Sequence, residues 1–164
     1  MHSSEMDNDL LIVASGYDHD RVSDVANVKK SVKTKVQLFG FPSMQADMYQ
    51  ENMIRAYKAV TALGSETFAS MDVNIFAPAY DPFVTAQAIR DYLIDQQAKV
   101  PFTNIYISPL SSKPQALGIA LYYLWERCHE KNISIIYPQC RRYITENSEG
   151  IGCLWRYVME LPTI

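Results

Sequence analysis

Three short stretches of the chain gather residue types able to do chemistry. The first, Ser15-Gly16-Tyr17-Asp18-His19-Asp20-Arg21, brings a glycine, two aspartates, a histidine and an arginine together. Asp18 and His19 form a candidate catalytic pair, because a carboxylate and an imidazole can exchange protons near neutral pH. Arg21 is suited to a phosphate or carboxylate, which its guanidinium grips through two parallel N–H donors. Gly16 lets backbone approach a ligand closely, and Tyr17 offers an aromatic face. The competing interpretation is plain: Asp18 or Asp20 caps the helix that follows, and Arg21 is solvated.

The second stretch, Ser108-Pro109-Leu110-Ser111-Ser112-Lys113-Pro114, sets two hydroxyls and a lysine where a helix begins. Free N–H groups and the helix dipole favour an anion there, and Lys113 adds a point charge. N-capping by a serine explains the same residues without a ligand. The third, Arg141-Arg142-Tyr143, supplies a further cation. Arg21, Lys113 and Arg141 are thus expected to converge on one anionic ligand, with Tyr17, Tyr80 or Tyr143 available to stack on it. Ser43, in the loop after a second apolar run, joins the candidate ligand contacts.

Several familiar sites are excluded. Gly16 is the only one of the three glycines that a dinucleotide fingerprint needs, no glycine run precedes Lys113 as in a P-loop, and no Gly-x-Ser-x-Gly elbow occurs. Cys128 and His129 are neighbours on one helix and cannot face one ion, while Cys140 and Cys153 have no ligand quartet beside them, so no metal is expected. No particular cofactor is indicated.

These stretches matter only if the fold brings them together. Leu10–Ala14, Val36–Phe41, Val73–Ala77, Ile105–Ile107 with its flanks and Ile133–Tyr137 are continuous apolar runs, the pattern of strands buried on both faces of a parallel sheet. Pro42, Pro78, Pro109 and Pro138 each stand just beyond such a run, 36, 31 and 29 residues apart, about one βα unit each. All four prolines should therefore lie along one edge of one sheet.

Helical patterns fill the gaps. Asp20–Lys30 is anchored by Val22, Val25 and Val28. A helix capped by Ser43 carries the stripe Ala46, Tyr49, Met53, Ala56, Tyr57, Val60 and Leu63. Asp81-Pro82 opens a third, with Phe83, Ala86, Ile89 and Leu93 inward. A fourth runs from Ser112 to about Glu130, with Gly118 expected to permit close approach to the sheet. Ile151–Leu161 alternates like a strand after a short turn, which predicts an antiparallel edge strand. The expected fold class is α/β: a Rossmann-like three-layer sandwich of about five parallel strands plus one C-terminal antiparallel edge strand. Residues 1–9 are expected to form a flexible lead-in, and 10–164 a single domain.

Composition sets the outer limits. The chain has 164 residues, 48% of them apolar and 20% charged, so it can bury a core of its own. Fifteen basic against 18 acidic side chains give a net charge of −3, which argues against bulk nucleic-acid binding. No apolar stretch is long enough for a membrane span. The odd cysteine count suits reduced thiols and a cytoplasmic setting.

Ser111-Ser112-Lys113, placed after the fourth strand and leading into an apolar helix, resembles the ligand loop of CRISPR-associated Rossmann-fold sensor domains. That resemblance implies binding of a cyclic oligoadenylate, with Ser111, Ser112 and Lys113 as contacts, although Leu110 and Ser111 stand where those domains have glycines. The sequence therefore points to a binding or sensor domain for a nucleotide or other phosphate-bearing ligand, working through a partner chain or a homo-oligomer. Two alternatives stand beside it: a small hydrolase or transferase using Asp18 and His19 with Lys113 and the loop serines, and a non-catalytic protein-interaction domain.

Overall fold

The computed structural model describes residues 7–58, 74–127, 132–139 and 154–161. Five strands, β1 (Leu10–Ala14), β2 (Thr34–Gly40), β3 (Ile75–Ala77), β4 (Ile105–Pro109) and β5 (Ile133–Ile135), form one sheet in the order β3-β2-β1-β4-β5. Every pairing is parallel. The fold is α/β, with the sheet of a Rossmann-like sandwich. Because the strands run one way, Pro42, Pro78, Pro109 and Pro138 do fall at or beyond the carboxyl ends of β2, β3, β4 and β5, along one edge.

β1 is the centre of the sheet and all five of its side chains are fully buried. Strand alternation divides them between two layers. Leu11 and Val13 meet Val22, Val25 and Ala26 of α1 (His19–Val28), together with Val32 and Tyr106. Leu10, Ile12 and Ala14 share the larger core with Val36, Leu38, Ile105 and Ile107. That core is roofed by α3 (Pro82–Gln97) and α4 (Lys113–Tyr122), which pack on each other. α2 (Met48–Lys58) lies beside α1, and a π-helical turn, Tyr123–Arg127, extends α4.

The helix starts follow their local chemistry. Asp81 accepts hydrogen bonds from the Phe83 and Val84 amides at 2.9 and 3.0 Å, and Pro82 occupies the first turn, where no N–H is missed. Ser112 caps α4 through the Gln115 amide, and Asp18 caps α1 through the Arg21 amide.

Six expectations need correction. Val28 does not anchor α1: it is 81% exposed, and Ala26 is buried beside Val22 and Val25. Ser43 caps nothing: α2 begins at Met48, and the Ser43 hydroxyl donates to the Gln45 carbonyl. The α2 stripe is also displaced, for Ala46 and Tyr57 are exposed and the buried side chain among those described is Asn52; the Ala56 side chain, Val60 and Leu63 lie outside the described residues. Phe83 is exposed, with Thr85 buried in its place, because the Phe83 ring stacks instead on Trp125 at 6.4 Å. Gly118 admits α3, not the sheet: a methyl there would lie 2.4 Å from the Pro82 carbonyl oxygen. Finally, 154–161 contains no strand. Its side chains are engaged elsewhere: Trp155 stacks on Tyr80, the Tyr157 hydroxyl donates to the Tyr80 carbonyl, and Met159 packs on the core.

The end of the lead-in is anchored as well. Asn8 donates through its side chain to the Pro101 carbonyl at 2.7 Å, and its own carbonyl accepts from the Thr103 amide. The buried Asp9 carboxylate accepts from Asn104 at 2.9 Å. Residues 1–6 lie outside the described part.

Candidate ligand cleft at the carboxyl edge

The crossovers leave β1 toward β2 on one side and reach β4 on the other, so the carboxyl ends of β1 and β4 mark the switch point where open α/β sheets bind ligands. A cavity of about 230 Å³ lies there, bounded by the loops after β1, β2, β3 and β4 and by the start of α2. The loops are stitched to one another. The Phe41 amide donates to the Ala77 carbonyl, the Ala79 amide to the Pro42 carbonyl, and the Ser112 hydroxyl to the Ala79 carbonyl. Gly16 permits the tightest approach. A Cβ on it would lie 2.3 Å from the Leu110 carbonyl oxygen, so only a residue without a side chain lets the first and fourth loops touch.

Polar side chains enter this cleft by a relay from the core. Gln37, in the middle of β2 and fully buried, accepts a 2.6 Å hydrogen bond from the Ser15 hydroxyl. The Ser15 carbonyl in turn accepts from the Asn52 side-chain amide at 2.9 Å. From the opposite wall, Gln115 in the first turn of α4 donates its amide to the Ala77 carbonyl at 3.2 Å. The Asn52 and Gln115 amides thus each donate one N–H to a carbonyl, whereas Gln37 Nε2 is buried without a partner among the described residues. The oxygens left over, Asn52 Oδ1 and Gln115 Oε1, are buried and have no donor among the described residues, and the Ser111 hydroxyl is likewise unpartnered. Asn52 is 8% exposed and Gln115 1%. The rest of the wall is largely apolar, including Met44, Met48, Ala79 and Leu110.

Tyr17 also lines the cavity. Its hydroxyl donates to the Met48 carbonyl at 3.3 Å, and the Arg55 guanidinium lies 5.4 Å from its ring centre. Burial raises the Tyr17 phenol above its ordinary pKa, helped by Asp47 and Glu51 and opposed by Arg55. The phenol therefore stays a neutral hydrogen-bond donor at physiological pH.

A second cavity of about 400 Å³ adjoins the first, sharing Met44 and Ser112 with it. Lys113, Pro114, Leu117, Trp155 and Tyr157 complete its wall. The first turn of α4 therefore stands between the two cavities.

The residues singled out by sequence divide accordingly. Gly16, Tyr17, Ser43, Ser111 and Ser112 line the inner cavity, and Lys113 the outer one. Ser112 is occupied as the α4 cap and as a donor to Ala79, and the Ser111 hydroxyl is buried without a partner among the described residues. Arg21 does not line either cavity. Its guanidinium is paired with Asp18 at 2.8 Å and donates to the Tyr137 hydroxyl at 3.3 Å. Arg141 lies outside the described residues, and the other two expected cations, Arg21 and Lys113, do not share a cavity. Tyr80 has its ring stacked on Trp155 at 5.5 Å and nearly parallel, so that face is taken. Asp18 serves as helix cap and ion-pair partner, and His19 sits 3.5 Å from Asp20; neither is in the cleft.

Asn52 and Gln115 escaped the sequence reading. The available signal was a polar residue where the pattern asks for an apolar one: Gln37 inside Val36-Gln37-Leu38, and Gln115 at the head of an apolar helix. Among the described residues, no cluster of three or more His, Cys, Asp or Glu side chains could hold a metal ion. No described helix is long and apolar enough to cross a membrane. Compared with known proteins, the chain matches no family model and no curated sequence.

Proposed function

We propose that the protein binds a nucleotide or related phosphate-bearing small molecule in the cleft at the carboxyl edge of its sheet. The observation that carries this reading is the pair of adjoining cavities at the switch point of the sheet, with the first turn of α4 between them and Lys113 on the wall of the outer one. The inner cavity is smaller than the ~300–1,000 Å³ typical of sites enclosing a whole drug-sized ligand. It therefore suits one ring system, with the rest of the molecule passing into the outer cavity. There the α4 N-terminus and Lys113 favour a phosphate. In a sensing role, a partner chain or a second copy would read the occupied state. The catalytic alternative has less support, since Asp18 and His19 share no cavity with Lys113.

A thermal-shift series with nucleoside monophosphates, ribose 5-phosphate and inorganic phosphate tests this. A ligand specific to the native state stabilises it by about 2.7 kcal/mol at a hundredfold excess over its dissociation constant. Nucleotides should raise the melting temperature, and Lys113→Gln with Ser111→Ala should reduce the shift. No shift with any of them, or a shift indifferent to both substitutions, would overturn the proposal.

A further inference from the structure

The segment 154–161 bounds the outer cavity without belonging to the sheet. Trp155 and Tyr157 form part of that cavity's wall, together with Lys113, Pro114 and Leu117 of α4. Among the described residues the segment makes no backbone–backbone hydrogen bond. Its attachments are scattered over three other elements. Trp155 stacks on Tyr80, in the loop after β3, at 5.5 Å and 12° from parallel. Tyr157 meets the ring of Phe83 edge-on at 6.4 Å, in the first turn of α3, and its hydroxyl donates to the Tyr80 carbonyl. Trp125, on the π-helical turn, donates its indole N–H to the Glu160 carbonyl at 3.2 Å. Met159 touches the core, while Leu154, Val158 and Leu161 are exposed. A segment with few buried contacts and no ladder opens at a lower free energy than the core it rests on. The parallel pairings of β1 to β5 and the packing of α3 on α4 do not pass through it.

Resting on the nucleotide reading above, we infer that 154–161 is a detachable strap, which closes the outer cavity over a bound nucleotide and lifts as a unit, with the sheet intact, to admit or release it. Lifting takes Trp155 and Tyr157 out of the wall and opens the cavity along that side. A ligand that touches both the strap and α4 binds the closed form better, and shifts the equilibrium by that difference in affinity.

The chain's two tryptophans, Trp125 and Trp155, both lie in the strap's attachments. Indole fluorescence therefore reports the strap, and far-ultraviolet circular dichroism reports the helices. Urea titrations of the full chain should give a fluorescence midpoint below the dichroism midpoint, whereas one cooperative transition would superpose the two. Tyr157→Phe and Tyr80→Leu, which remove the hydroxyl's hydrogen bond and the ring under Trp155, should widen the gap. Trypsin should cut after the exposed Arg156, with the product identified by mass, at urea concentrations where the dichroism is still native. Cutting should be several-fold faster in both variants. Coincident transitions in the wild-type chain, or cleavage after Arg156 only as the helices unfold, overturn the strap. Saturating adenosine monophosphate should narrow the gap and slow the cleavage. A nucleotide that raises the melting temperature but leaves gap and cleavage unchanged overturns closure over the ligand, while nucleotide binding stands. Absence of a thermal shift with every nucleotide refutes the nucleotide reading instead, and the paired titrations still decide whether the strap detaches.

Discussion

Replacing Gly118 by alanine sets two effects of opposite sign against each other. Within a helix the change is favourable by about 1 kcal/mol, since alanine loses less backbone freedom than glycine. In α4, however, the new methyl would lie 2.4 Å from the Pro82 carbonyl oxygen and 2.7 Å from the Thr85 Cβ. Neither neighbour can swing aside. One is the backbone of the first residue of α3, and the other is a buried threonine whose hydroxyl is tied to the Asp81 carbonyl at 2.8 Å. Restoring ordinary carbon contacts of about 3.5–4.0 Å requires the two helices to part by roughly an ångström. Overpacking of this kind costs typically 1–3 kcal/mol, and here it falls on backbone, so the upper part of that range applies. After the propensity gain, a net loss of about 1–2 kcal/mol is expected. For a chain of this size that lowers the melting temperature by roughly 2–8 °C. Differential scanning calorimetry, or the midpoint of a urea titration, measures it. A variant that melts at or above the wild-type temperature would refute the close packing of α3 on α4, because propensity alone would then decide the sign.

The Asp18–Arg21 pair is exposed, so Arg21→Gln should cost less than about 1 kcal/mol. Asp18→Ala should cost about 1 kcal/mol, since it also removes the cap on α1. Neither substitution should alter a nucleotide-induced thermal shift; a large loss with Arg21→Gln would return that side chain to the ligand site. Stability should fall in alkali. Burial, with a smaller contribution from Asp95, pushes the Tyr92 phenol up to about 12, and Tyr17 and Tyr106 move the same way. An unfolded tyrosine ionises near pH 10. The folded state therefore holds its proton longer, and the stability present below pH 10 is lost as the pH rises toward 12. Two units correspond to at most about 2.7 kcal/mol, less after solvent screening because the ring is only half-buried. Unfolding free energies followed from pH 9 to 12 should decline less steeply in Tyr92→Phe, and identical curves would dismiss Tyr92 as a source.

Much of the fold is legible in local signals that need no partner. The continuous run Leu10–Ala14 can be satisfied only between two layers, and Asp81-Pro82 can hardly be anything but a helix start. In α2 an apolar stripe misleads, because the inward position holds Asn52, kept there by the Ser15 carbonyl. The C-terminal segment shows the limit of periodicity. Its alternation is kept only in part: Tyr157 and Met159 are half-buried while Leu154, Arg156, Val158 and Glu160 are exposed, but Trp155, on the same face as Tyr157, is exposed too. Yet alternation reports only which side chains face the protein. Whether the backbone also joins a ladder depends on an available strand edge, and here Tyr80 and the core hold the segment by its side chains instead.

The same distinction separates the cations from the amides. Arginines and lysines in loops are visible in any sequence, because charge is a property of the residue wherever it sits. What they do depends on the nearest counter-charge, and for Arg21 that is Asp18, three residues away and 2.8 Å distant. An asparagine or glutamine signals nothing until its nitrogen has been assigned. Once Asn52 donates to Ser15 and Gln115 to Ala77, the orientation of each amide is set. Gln37 shows that the arrangement reaches the core, since it holds the Ser15 hydroxyl from the middle of a strand whose neighbours, Val36 and Leu38, are wholly buried. Hydrophobic residues at Gln37, Asn52 and Gln115 would pack without unpaired polar atoms. Polar ones instead tie the Ser15 and Ala77 carbonyls at the ends of β1 and β3 to α2 and α4, which fixes the walls of the cavity at the switch point relative to one another.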